Sequence, residues 1–281
     1  MSSGSFDLRR REAKARLATL AAVLVLPALP ALGKGLLVSS NGIFAVVPAG
    51  GTLVRQITLT PTDLSPTLVR VRVEPFDVDA DGRPEHGPGR RVSAQRVARV
   101  EAIPRRLLLE NGHPEVLEVR CPSPEEGGSS WAVILLDLEP VRMRGQDGSL
   151  SDVTARIAVP VFVTVEGTQR PDLRIERISA VLVGPDRIAW EAQLENRGNT
   201  VLKFSGTFAV EEKGEELATR DLEDVLILPG FHRRIRGVVS GDFRVAKEIS
   251  GRLWIRFGSR AGDVIQADCA VPASAETARV F

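Results

Sequence analysis

The chain has 281 residues, 43% of them hydrophobic and 26% charged, with a formal net charge of +1. Those proportions exclude a disordered chain and leave no basic excess for a nucleic-acid partner. Aromatic residues make up only 5%, with no tyrosine at all, which argues against a stacking surface for bases or sugars.

At the N-terminus, Arg9, Arg10, Arg11, Lys14 and Arg16 precede the uncharged run Leu17–Leu32. A basic segment followed by an apolar one predicts a secretory signal peptide over residues 1–33. The run is short for a membrane span and is interrupted by Pro27 and Pro30. Ala31 and Gly33 supply the small residues for cleavage before Lys34. An uncleaved N-terminal anchor is the alternative. Cleavage removes five basic residues from 37 and two acidic residues from 36, leaving a mature net charge of about −2. Export points to the periplasm, with the cell surface as the alternative.

From Leu36 onward a period of two dominates. Val69, Val71 and Val73 alternate with Arg70, Arg72 and Glu74, the pattern of a half-buried antiparallel strand. Residues 51–61 and 115–121 read as further strands, and Ser129–Pro140, apolar on both sides, as a central one. No window shows a helical stripe. Turn residues cluster at Glu166–Asp172, after which seven strand-like runs follow over about 100 residues, each closed by a Gly, Pro or Asn signal. The expected fold is all-β: two immunoglobulin-like antiparallel sandwiches in tandem, over 36–168 and 170–272, with a flexible tail at 273–281.

The stretch Ala155–Gly167 is the last strand of the first sandwich. Ile157, Val159, Val161, Val163 and Val165 form one aliphatic face, expected to fill that sandwich's own core. The other face carries Arg156, Ala158, Pro160, Phe162 and Thr164. Phe162, with Pro160, is expected at the cleft between the sandwiches. Pro160 lacks an N–H and so suits an edge or a bulge.

These pieces resemble the periplasmic pilus-assembly chaperone family. Phe44–Pro61 resembles that family's first two strands around a glycine turn, Val69–Gly82 its third strand, and Ser129–Pro140 the strand before the last. Ile157–Gly167 resembles the final strand, and Ala192–Leu217 and Val225–Gly230 resemble the hairpin and Pro-Gly corner of the second domain. The resemblance implies a chaperone that adds an edge strand to an unfinished exported subunit and holds the subunit's terminal carboxylate with an Arg/Lys pair. That pair is missing: the corresponding positions are Ala45 and Pro160. Arg156 is the nearest basic residue, and Leu150, Val153 and Ala155 are the candidate donor residues just upstream.

Little else points to chemistry. Asp77–Gly82 begins like a calcium loop, but its twelfth position is Pro88, so it reads as an Asp-Gly turn after a strand. His86, His113 and His232 lie too far apart in sequence to suggest a metal site. Glu125–Glu126 and Glu211–Glu212 read as solvated loop charge, and Phe231–Gly237, the densest basic spot, as a solvent-facing strand. Trp131, Trp190 and Trp254 read as core residues of sandwich strands. Cys121 and Cys269, 148 positions apart, read as free thiols, although one bridge is possible. The sequence therefore predicts a non-catalytic assembly protein with an exported protein subunit as partner, and no cofactor, metal, nucleic acid or small-molecule substrate. A structural or adhesive cell-surface protein built from the same sandwiches is the alternative.

Overall fold

Alternating apolar residues and frequent turn signals produce strands and no helix among the residues that the structure, a computed structural model, describes: 35–62, 66–86, 96–110, 112–144, 149–244, 248–258 and 263–272. The expected signal peptide and C-terminal tail lie outside these residues. The first half contains β1 (Leu36–Val38), β2 (Ile43–Val47), β3 (Thr52–Pro61), β4 (Thr67–Glu74), β5 (Phe76–Val78), β6 (Pro84–His86), β7 (Glu101–Ile103), β8 (Arg106–Leu109), β9 (Glu115–Pro122), β10 (Ser129–Leu138), β11 (Val141–Arg144), β12 (Leu150–Val153) and β13 (Arg156–Val165). The second half contains β14 (Leu173–Gly184), β15 (Arg187–Asn196), β16 (Leu202–Glu212), β17 (Glu215–Ile227), β18 (His232–Ser240), β19 (Ile249–Arg256) and β20 (Val264–Ala270).

Each half is a two-sheet sandwich. In the first, a sheet ordered β1-β3-β9-β7 faces one ordered β2-β13-β10-β4-β8; in the second, β14-β15-β18 faces β17-β16-β19-β20. Two short hairpins, β5–β6 and β11–β12, stand apart from these sheets. The pairings are antiparallel except that β2 runs parallel to β13, from Ile43 opposite Val161 to Val47 opposite Val165.

Strand β10 is buried on both faces, as its unbroken apolar composition requires. Ala132, Ile134, Leu136 and Leu138 join the core of the first sandwich, together with Val159, Val161 and Val163 of β13. Trp131, Val133 and Leu135 point the other way, into the cluster that also forms the core of the second sandwich. Trp190 and Phe208 stack at its centre, 4.6 Å apart. Trp131 and Trp190 are fully buried, whereas Trp254 lies on a sheet's outer face, partly exposed, with its Nε1–H donated to Gln266 Oε1 at 3.0 Å. The described residues belong to one compact unit, because the outer face of the first sandwich is part of the second one's core.

The linker is clamped rather than free. Residues 196–200 form a turn that grips it: the Arg197 N–H donates to Asp172 O (2.8 Å), the Arg170 N–H to Asn199 Oδ1 (2.8 Å) and the Asn199 Nδ2–H to Thr168 O (3.0 Å). The buried Asn196 holds the turn by donating to Thr200 O and Ile227 O and accepting from the Gly198 N–H. Gly198 lies so close to the linker that a Cβ there would meet Arg170 O at 2.3 Å.

Candidate partner-binding edge and interdomain cleft

Strand β13 has β10 along one side for its whole length, but β2 covers its other side only from Val161 onward. The Leu138 N–H donates to Ala155 O at 3.0 Å, which sets the parity of the β10–β13 ladder. Ile157, Val159, Val161 and Val163 therefore exchange hydrogen bonds with β10, while the main-chain groups of Arg156, Ala158 and Pro160 point away from it. The N–H that Pro160 lacks would have faced this open side, so the proline costs the sheet no internal hydrogen bond. Among the described residues, Arg156 to Ala158 thus form an open edge with the N–H groups of Arg156 and Ala158 on offer, while the Pro160 carbonyl already belongs to the parallel ladder with β2.

Sequence reasoning placed Leu150, Val153 and Ala155 beside Arg156. All four are exposed, Leu150 at 60% and Val153 at 48%. Leu150 and Val153, however, lie on β12, which pairs with β11, Val141 opposite Val153 and Arg144 opposite Leu150, and belongs to neither sheet of the sandwich. Ala155 supplies the carbonyl that ends the β10 ladder. Arg156 reaches the open edge, but its guanidinium is not free, since its Nε–H donates to Asp137 on β10. Arg72 on β4 binds the other oxygen of the same carboxylate at 2.7 Å and also pairs with Glu74. Burial alone would raise the Asp137 pKa, but the hydrogen bonds from Arg72 and Arg156 pull it below its ordinary value. Asp137 escaped the sequence reading. Its signal was a lone carboxylate in an otherwise apolar run.

Phe162 and Pro160 occupy different environments. Phe162 is 4% exposed and belongs to the cluster shared with the second sandwich. It stacks on Phe44 (centroids 4.6 Å apart) and meets Phe76 edge-on at 5.9 Å. Next to it, Trp131 donates its Nε1–H to Phe76 O (2.9 Å) and packs edge-on against Phe231 of the second sandwich (6.3 Å). Pro160 is half-buried beside Gly42, where β2 begins. Phe44 and Val46 on β2, 56% and 59% exposed, share the Phe162 face and were not singled out from the sequence. Ala45, the position aligned with the family's arginine, turns into the first sandwich's core.

Two charged stretches differ from their sequence reading, and a third keeps its reading but gains a partner. Glu211 is no loop charge: it is 6% exposed at the end of β16 and pairs with Arg252 at 3.1 Å. Phe231–Gly237 is not simply a solvated face, because Phe231, Arg233 and Arg234 meet the first sandwich. Asp77–Gly82 is a turn, as read, but it docks on that basic strand. His232 lies 3.0 Å from Glu176, and with Glu195 its ligand atoms fall within 4.8 Å, the one such cluster among the described residues. Glu195 is already neutralised there by Arg197. Cys121 and Cys269 are free thiols, and burial pushes the Cys121 thiol up to about 11.

No family description matches the sequence, and no curated protein sequence is recognisably similar to it. Among solved structures, the chain is similar to one from a chaperone–tip adhesin complex of CFA/I fimbriae biogenesis (7% identity, TM-score 0.46, covering 83% of this chain and 97% of that one). It is also similar to the E. coli chaperone DraB (13% identity, TM-score 0.41, 84% and 98% covered). A third is a chain of the CsuC–CsuE chaperone–tip adhesion subunit complex of Acinetobacter baumannii (13% identity, TM-score 0.42, 72% and 89% covered).

Proposed function

We propose that this protein is a non-catalytic, exported assembly factor that binds an exported protein subunit by β-strand addition, in the manner of a pilus-assembly chaperone. The observation that carries this reading is the open edge at Arg156–Ala158: among the described residues this stretch of β13 is covered on one side only, with its main-chain donors and acceptors directed outward. The exposed Leu150 and Val153 upstream, and Phe44 and Val46 on the next strand, give an incoming segment apolar surface to cover. Cleavage after Gly33, followed by residence in the periplasm, belongs to the same proposal, as do two sandwich domains meeting at Gly167–Pro171. With Ala45 and Pro160 in place of an Arg/Lys pair, affinity comes from the main-chain ladder rather than from a clamped terminal carboxylate.

Ala158→Pro tests this reading. It removes an outward N–H without touching the β10 ladder. Bait protein incubated with periplasmic extract should lose its captured subunit on this substitution while its melting stays close to the parent's. In the parent, capture should protect the Arg156 and Ala158 amides from hydrogen exchange. Capture that survives Ala158→Pro, with both amides of the parent still exchanging freely in its captured complex, would place the contact elsewhere.

A further inference from the structure

The basic strand β18 and the acidic turn after β5 were separate features of the sequence, and the fold puts them together. The turn is self-supporting: the Gly82 N–H donates to Asp79 O (2.9 Å) and the Arg83 N–H to Asp79 Oδ1 (2.7 Å). Across the seam, the Arg234 N–H donates to Ala80 O at 2.6 Å, and its side chain lies 3.6 Å from Asp81. Strand β18 is the edge of its sheet, so this N–H would otherwise face solvent. The first sandwich caps an open edge of the second.

Arg233, one residue earlier, has the opposite parity. Its side chain lies on the face of Ile235 and Val239, and its guanidinium rests against Gly82, where a Cβ would come within 1.4 Å of Nη1. Its Nε and Nη1 are buried with no hydrogen-bond acceptor among the described residues. The carboxylates of Asp79 and Asp81 are its counter-charges, and both come from the other sandwich. A half-buried charge with two nitrogens cut off from water and from acceptors is poorly compensated and regains hydration when its site opens. Burial indeed pushes the Arg233 pKa below its ordinary value, and the two aspartates offset this only in part.

We infer that the Asp79–Gly82 turn and the Arg233–Arg234 pair form a charge-balanced catch between the two sandwiches, held shut by Asp79 and Asp81 and loaded against closure by the half-buried Arg233. The catch sets how readily the seam opens. Removing the carboxylates leaves Arg233 uncompensated and frees the turn; replacing Arg233 by a methionine of similar length removes the load and tightens the seam.

The Arg234 amide is a direct reporter, because its hydrogen bond crosses the seam, whereas the Ile235 amide points into the β15–β18 ladder and serves as the internal control. Amide exchange followed by NMR in the purified protein at low ionic strength should show Asp79→Asn/Asp81→Asn accelerating Arg234 exchange by about tenfold or more, with Ile235 unchanged. Raising salt to about 0.5 M should accelerate Arg234 exchange in the parent and add little in the double variant. Arg233→Met should slow Arg234 exchange. Unchanged Arg234 exchange in the double variant, acceleration by Arg233→Met, or Arg234 and Ile235 rising together would each overturn the catch.

Discussion

Phe162→Ala is the substitution for which the structure permits the fullest reckoning. The ring is 4% exposed and touches Phe44 and Phe76, with Trp131 directly across the β10–β13 ladder. Truncating a fully buried phenylalanine costs about 3–5 kcal/mol, the transfer term plus the void left behind. Phe44 is 56% exposed and can settle into part of that void, which places the expected loss near the lower end, about 3 kcal/mol. Val161→Ala probes the other face of the same strand. That side chain is 0% exposed in the first sandwich's core, and its truncation should cost about 1–3 kcal/mol. Urea denaturation of each variant supplies both numbers. Phe44→Ala alone should cost about 1 kcal/mol or less, and the double variant should reveal a Phe44–Phe162 coupling of about 0.5–1.5 kcal/mol. A Phe162→Ala loss below about 1 kcal/mol would mean that this ring does not hold the sandwiches together, and the shared core would have to be abandoned.

Asp137 accepts hydrogen bonds from Arg72 and Arg156, and its folded pKa lies below the ordinary 3.8. A depressed carboxylate stabilises the fold above its unfolded value, and that contribution disappears as pH falls through the folded value. Asp137→Asn should therefore melt below the parent near neutral pH and converge on it in acid below 3.8; a gap that stays constant from about pH 7 to pH 2 would contradict the ion-pair account. Gly198→Ala should cost about 1–3 kcal/mol in chemical denaturation, because the new methyl meets linker backbone 2.3 Å away. A neutral result there would show that the linker clamp yields easily.

Much of the fold was legible because it is written with short-range rules. Val69 to Glu74 announce a strand through period-two alternation, and residues 129–138 announce a central one by being apolar on both sides. The turns after Leu182, Asn196 and Leu228 are marked by Gly, Pro and Asn, whose backbone preferences act within a few residues. The open edge was less legible. Pro160 signalled an edge, but only the register of β2, which starts pairing at Val161, shows how much of β13 is left uncovered.

What the sequence determined by itself is therefore the long strands β3, β4, β9, β10 and β13, the seven strand runs of the second half and the aliphatic face of β13, but not the short strands β5 to β8, β11 and β12. Each depends on the order of side chains along one segment. The tertiary structure alone decided what those faces meet. Trp131 and Ala132 are neighbours in β10, yet one enters the core shared with the second sandwich and the other the core of the first. Arg233 faces Gly82 across about 150 residues of chain, and Arg156 shares the Asp137 carboxylate with Arg72, more than 80 positions away. Alternation specifies that a side chain lies on one face or the other. Which surface closes over that face depends on how distant strands pair and how the sheets twist, and a buried charge reveals its partner only when the chain has folded back on itself.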